Sequence, residues 1–170
     1  QGREKKKQTI RFGIPAGISD GTRMRMGGRG EPIRGGGGNP GDLYIQVHIE
    51  DHDWYERDGS DLLMALPLGY PELLLGTSVS LPHIDGKDIS IDVPAGSIPG
   101  DTLEVKGRGF PRARGRGRGN VTVLLKLYVP SKISKNVKKQ IEGLRDEIGI
   151  DLDSVEDLVR KEAKSRRRIR

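Results

Sequence analysis

The feature that most constrains this chain is an internal repeat. Ile10 to Gly30 and Ile89 to Gly109 align without a gap at an offset of 79, with eight identities in 21 positions. Pro15-Ala16-Gly17 matches Pro94-Ala95-Gly96, and Gly28-Arg29-Gly30 matches Gly107-Arg108-Gly109. Apolar character is kept where identity is lost, at Phe12/Ile91, Ile14/Val93, Met24/Leu103 and Met26/Val105. A second correspondence follows at offset 78, Gly41-Asp42-Leu43 against Gly119-Asn120-Val121. Two copies of one β-rich unit in tandem are too few for a solenoid.

The local signals within each copy are those of strands. Ile10, Phe12 and Ile14 alternate with polar or small residues, as do Ile89, Ile91 and Val93. Pro-Ala-Gly then ends the strand, because proline cannot donate to a ladder and glycine reaches positive φ. Further alternating strands are expected from Met24 and Leu103, and at Leu43–Ile49 and Val121–Leu127, after glycine-rich excursions at Arg34–Gly41 and Gly107–Gly119. Copy two has additional elements: a strand at Leu62–Leu68, a helical turn at Tyr70–Gly76 with Pro71 early and Gly76 closing, and a strand at Val79–Ile84 before an Asp85-Gly86 turn. Only nine residues precede Ile10, so the opening half of the first unit is expected to be missing from this chain. After Pro130 the apolar period becomes 3.6. Ile133, Val137, Ile141, Leu144 and Ile148 draw one stripe on a helix that Ser134 caps and Gly149 ends. A second short helix is expected from the box-like Ser154-Val-Glu-Asp157.

Composition excludes several classes. The chain has no cysteine, which removes disulfides, thiolate zinc sites and cysteine nucleophiles. No apolar run approaches the ~20 residues of a membrane span. The net charge of +6 sits entirely in Arg160–Arg170, so residues 1–159 are neutral and the high isoelectric point belongs to a tail. Three histidines invite a metal or acid–base reading. His48 and His52 are four apart, but His48 belongs to a strand-like segment, and Asp51 and Asp53 point away from His52 in extended chain. Solvated polar residues at a bend describe them better. No nucleophile elbow or acid pair suggests catalysis, and an enzyme is not expected. Arg112–Gly119, RARGRGRG, is similar to arginine–glycine segments that contact nucleic acid, yet its length equals that of the copy-one excursion, which makes a solvated hairpin loop the simpler reading. The helix stripe leaves two outcomes open: packing on the β units, or pairing with a twin across a two-fold axis.

Several motifs together resemble a known family. They are the paired strand–Pro-Ala-Gly units, Gly-Asp-Leu-Tyr-Ile-Gln-Val-His at 41–48, Asp53-Trp-Tyr-Glu-Arg-Asp-Gly59, and Pro67-Leu-Gly-Tyr-Pro-Glu-Leu-Leu-Leu-Gly76 followed by Ile84-Asp-Gly-Lys87. In this order they look like the C-terminal substrate-binding and dimerisation region of DnaJ-type J-domain co-chaperones, over residues 8–148. The resemblance implies a mainly β fold of two tandem small β-sandwich subdomains, the first truncated, followed by a C-terminal α-helical dimerisation segment. The expected domains are 1–52, 53–130 and 131–170. It implies a co-chaperone fragment, cytoplasmic and without cofactor or metal, that binds exposed apolar segments of unfolded or non-native polypeptides for delivery to a DnaK-type chaperone. It also implies a homodimer through Ile133, Val137, Ile141, Leu144 and Ile148. Tyr55 aligns with an aromatic of the peptide groove, while Phe12, Ile14, Ile45 and Val47 are groove-or-core candidates. The J-domain tripeptide His-Pro-Asp and the cysteine-rich zinc module do not occur in this sequence. The alternative function is a nucleic-acid-binding module using the RGRGRG loop and the basic tail; membranes are not expected partners.

Overall fold

A computed structural model describes residues 9–32, 38–113, 115–149 and 155–160. The chain divides into two compact units, Gln1–Tyr128 and Val129–Arg170. The regular structure of the first is almost wholly strand: β1 (Arg23–Met26), β2 (Leu43–Gln46), β3 (Glu56–Asp58), β4 (Asp61–Leu68), β5 (Thr77–Pro82), β6 (Asp88–Val93), β7 (Thr102–Val105) and β8 (Val121–Leu127). A single helical turn, α1 (Tyr70–Leu75), links β4 to β5. Three sheets result, ordered β1-β2, β3-β4-β8-β7 and β5-β6.

The core lies between the four-stranded sheet and the β5-β6 hairpin. β4 buries Leu62, Met64, Leu66 and Leu68, β6 buries Ile89, Ile91 and Val93, and β8 buries Val121, Val123 and Leu125 with no exposed surface. Leu73 of α1 and Tyr55 complete one continuous cluster. Two-residue alternation thus gives each strand one face for this cluster. β8 pairs antiparallel with β7 and parallel with β4, the latter from Leu62↔Val121 to Leu68↔Leu127. A parallel pair needs a long crossover, and α1 with the β5-β6 and β7 strands supplies it.

The repeat is reproduced hydrogen bond by hydrogen bond. β1-β2 pairs Arg23↔Gln46 through Met26↔Leu43, and β7-β8 pairs Thr102↔Leu124 through Val105↔Val121, the same register after the sequence offsets. Gly21 N–H donates to Val47 O as Gly100 N–H does to Leu125 O, and Gly30 N–H to Gly41 O as Gly109 N–H does to Gly119 O. At the hairpin mouth Gly28 N–H donates to Asp42 Oδ1 (3.0 Å) and Gly107 N–H to Asn120 Oδ1 (2.8 Å). The neighbouring pair differs in charge. Arg25 Nε donates to Asp42 Oδ2, whereas Asn120 Nδ2 donates to Glu104 Oε1, both at 2.6 Å.

Cover is what distinguishes the copies. Leu43, Ile45 and Val47 stand where Val121, Val123 and Leu125 stand in copy two, yet they are only half-buried. Copy one has no counterpart of β4 or β5 among the described residues. The strand expected at Ile10–Ile14 does not form for the same reason: its counterpart β6 is held by β5, and residues 10–14 pair with no described strand. Phe12 and Ile14 are consequently exposed.

Among the described residues, Arg57 bonds copy one to copy two. Arg57 donates from Nη1 to Ile18 O (2.7 Å), from Nη2 to Gly17 O (2.9 Å) and from Nε to Gly59 O (2.8 Å), with its guanidinium 4.4 Å above the Phe110 ring. Gly17 has φ 76°, and a Cβ there would run into the Pro111 carbonyl, so glycine alone permits this approach.

The second unit contains α2 (Lys135–Ile148). Ser134 caps it, its side chain accepting from Val137 N–H at 3.2 Å, as expected. Gly149 N–H closes on Arg145 O, but at φ −70° rather than in the left-handed conformation. The stripe residues Ile133, Val137, Ile141, Leu144 and Ile148 are all exposed. Residues 155–160 are helical, whereas Ser154 and the tail beyond Arg160 lie outside the described residues.

A hydrogen-bonded carboxylate closes the mouth of copy one. The Gly28 N–H, then Arg25, hold the Asp42 carboxyl below its ordinary value of 3.8. A group whose pKa is depressed on folding contributes stability above its unfolded value and loses it as pH falls through the folded one. Asp42→Asn is therefore expected to lower the melting temperature at neutral pH, and the gap from the parent to shrink below about pH 4. Thermal melts across that range check this. A gap that stays constant would show that the carboxylate charge contributes nothing.

Candidate functional site

The face of the four-stranded sheet turned away from the core carries more apolar surface than an outer face needs. On β4 the outward residues are Leu63, Ala65 and Pro67, and across the ladder Ala65 meets Leu124. With Trp54 and Leu81 they wall a groove of about 810 Å³, to which Asp53, Glu56 and Lys126 bring charge. Trp54, the chain's one tryptophan, is half exposed at 50%. Among the described residues, no grouping of three or more His, Asp or Glu is placed to hold a metal.

The groove also runs along an open strand edge. Leu62 N–H donates to Asn120 O and Leu68 O accepts from Tyr128 N–H, so even-numbered residues of β4 turn their backbone groups toward β8. Odd-numbered residues turn theirs the other way. There β3 takes only Asp61 to Leu63. Ala65 N–H and C=O and the Pro67 carbonyl are left facing away from β8, and no described strand pairs with them. Pro67 brings no N–H, which fits an edge position and restrains sheet-to-sheet association. An extended polypeptide can still bond at Ala65 and lay alternate side chains on Leu63, Trp54 and Leu124.

Among the residues expected from sequence, Tyr55 lies elsewhere. It is 3% exposed, its hydroxyl donates to Pro82 O at 3.1 Å, and its ring meets the His83 edge at a centroid distance of 5.8 Å. Burial, then the Asp85 charge, pushes its pKa up. Ile45 on β2 and Val47 just beyond its end are half-buried, whereas Phe12 and Ile14 are exposed. His83, which no motif singled out, is the one buried charged or polar residue among the described residues. Its Nε2–H donates to Arg108 O (2.7 Å) and Nδ1 lies 3.0 Å from Asp85 Oδ1, which holds the Asp85 carboxyl low together with the Lys87 N–H. Both ring nitrogens are occupied, so His83 fastens the β5-β6 turn to the Gly107–Gly109 segment. His48 and His52 are exposed.

The arginine–glycine segment forms a closed hairpin, with a bridge between Pro111 and Arg118 and Arg112 N–H donating to Gly117 O. Arg118 Nε turns back to Gly109 O at 2.8 Å. At its base Gly109 and Gly119 press on the Ser60 carbonyl, where a Cβ has no room.

Trp54, Leu63 and Ala65 were missed because β4 reads as a plain alternating strand. The available signal was its apolar residues at both parities, interrupted by a proline, next to an aromatic pair.

Residues 2–130 match the family described as DnaJ C terminal domain. The chaperone protein DnaJ of Geobacillus sp. strain WCH70 is 39% identical over 148 residues, covering 87% of this chain and 38% of that protein. Chaperone protein DnaJ 2 of Nocardia farcinica is 42% identical over 146 residues, covering 85% of this chain and 37% of that protein. The chain thus spans about two fifths of the length of these curated relatives.

Proposed function

The chain belongs to the DnaJ C-terminal domain family, and on that footing we propose that it acts as the polypeptide-holding part of a co-chaperone. It binds extended apolar segments of non-native polypeptides, without catalysis, for transfer to a DnaK-type ATP-driven chaperone. The observation that carries this reading is the groove on β4, where an open strand edge adjoins Trp54, Leu63 and Leu124. Backbone pairing reads no sequence, and shallow apolar walls accept many side chains, so the groove suits clients with nothing in common but exposed hydrophobic segments. The relatives named as chaperones support the same reading. Nucleic acid fits less well, because the hairpin spends Arg118 on its own backbone.

The chain is expected to slow aggregation of a denatured client without ATP. Leu63→Glu, at an exposed position, places charge in the groove and is expected to remove most of that protection while the circular dichroism spectrum stays unchanged. Light scattering reads the outcome. Full protection by the folded variant would move client binding away from β4.

The exposed α2 stripe supports a homodimer, in which two sites on one client raise a micromolar affinity, about 8 kcal/mol, by avidity. Each stripe side chain offers roughly 2 kcal/mol when fully covered. Leu144→Asp is therefore expected to give monomers in sedimentation with both β units folded. A variant that remains dimeric places the interface elsewhere.

A further inference from the structure

A second cleft, of about 900 Å³, shares only Glu56 with the β4 groove. Its walls are contributed by the copy-one turn at Ser19 and Asp20, the connecting segment from Ile49 to Arg57, and Ile84 and Phe110 of copy two. Ile49, Tyr55, Leu62, Ile84 and Phe110 make its apolar part, Asp20, Glu50, Asp51 and Glu56 bring negative charge, and His52 also lines it. Arg57 is the one lysine or arginine lining it, and its guanidinium is already held by the carbonyls of Gly17, Ile18 and Gly59. Asp20 accepts from Ile49 N–H and has His48 Nδ1 at 3.9 Å. Among the described residues, Glu50, Asp51 and Glu56 enter no ion pair. Carbonyls are neutral and leave the Arg57 charge in place, so four carboxylates stand against one guanidinium, and the apolar walls focus the negative excess on whatever enters.

We infer that this cleft is a second polypeptide site, selective for an extended segment in which a bulky apolar side chain is flanked by lysine or arginine. The apolar side chain fits against Ile49, Ile84 and Phe110, and the flanking cations meet Glu50, Asp51 and Glu56, which enter no ion pair among the described residues. This rests on the reading of the chain as a polypeptide binder and adds what that reading lacks, a preference for charge. An apolar peptide without cations has no reason to choose this cleft over the β4 groove. The attraction acts between exposed charges, so salt screens it within about 10 Å at 0.1 M.

The test uses the full chain and two dye-labelled decapeptides with the same Leu-Phe-Leu centre, one flanked by arginines and the other by serines. Anisotropy is expected to give the arginine peptide about tenfold tighter binding at low salt, with the advantage gone at about 0.5 M salt. The double charge reversal Glu50→Lys with Asp51→Lys, both at exposed positions, is expected to abolish the advantage. The milder Glu50→Gln with Asp51→Asn is expected to reduce it. An arginine preference that survives both variants in folded protein overturns the proposal, as does the absence of any preference in the parent. Trp54 fluorescence separates the two readings. A serine peptide that leaves Trp54 unperturbed contradicts the β4 groove, whereas the charge-dependent preference is judged by anisotropy alone.

Discussion

The parallel ladder between β4 and β8 is the constraint on which the first unit depends. It lays a strand from the front of copy two against the last strand of the repeated hairpin, and the two bury seven side chains into one cluster. With β7 and the Gly100–Asp101 turn on its other side, β8 is paired on both edges from Val121 to Leu125, and Val121, Val123 and Leu125 are closed off from solvent altogether. Truncating Leu125 to alanine at such a site costs about 2–5 kcal/mol, a large share of what holds a small domain folded. The same ladder decides which strand edge stays open. With β8 occupying its inner side, β4 keeps its outer edge, and β3 is too short to cover it.

The two copies show how far a repeated sequence determines structure on its own. Their hairpins share register, turn bonds and the side-chain bond at the mouth, although Arg25–Asp42 carries charge and Glu104–Asn120 pairs a carboxylate with an amide. Identical local bonding nevertheless leaves Ile45 half-buried and Val123 wholly buried. Hairpin formation is local, whereas burial depends on a second layer, and only copy two has one among the described residues. Arg57 and Gly17 then hold copy one in place: the guanidinium serves two copy-one carbonyls, and the missing side chain lets the turn reach Pro111.

Much of this was legible in the sequence. Alternation located β4, β6 and β8, Pro71 and Gly76 bracketed α1, and Ser134 marked the start of α2, because each signal is local. The strand at Ile10–Ile14 was read from the same alternation and fails, since a strand exists only through its ladder. β3 was hidden in Glu56–Asp58, three charged residues with no apolar face. The groove was harder. Tyr55 drew attention as the family's aromatic, yet packing turns it into the core and leaves its neighbour Trp54 on the β4 face. Neither the direction of adjacent side chains at a bend nor the parity of outward backbone groups on β4 can be read without knowing which strand is the neighbour.

The most direct measurement is amide hydrogen exchange along β4 with and without a saturating extended apolar peptide. Ala65 N–H faces the open edge, whereas Met64 and Leu66 N–H face β8. The account requires Ala65 exchange to be fast in the free chain and strongly slowed by peptide, with Met64 and Leu66 slow in both states. Bound peptide that leaves Ala65 exchanging at its free rate would contradict it.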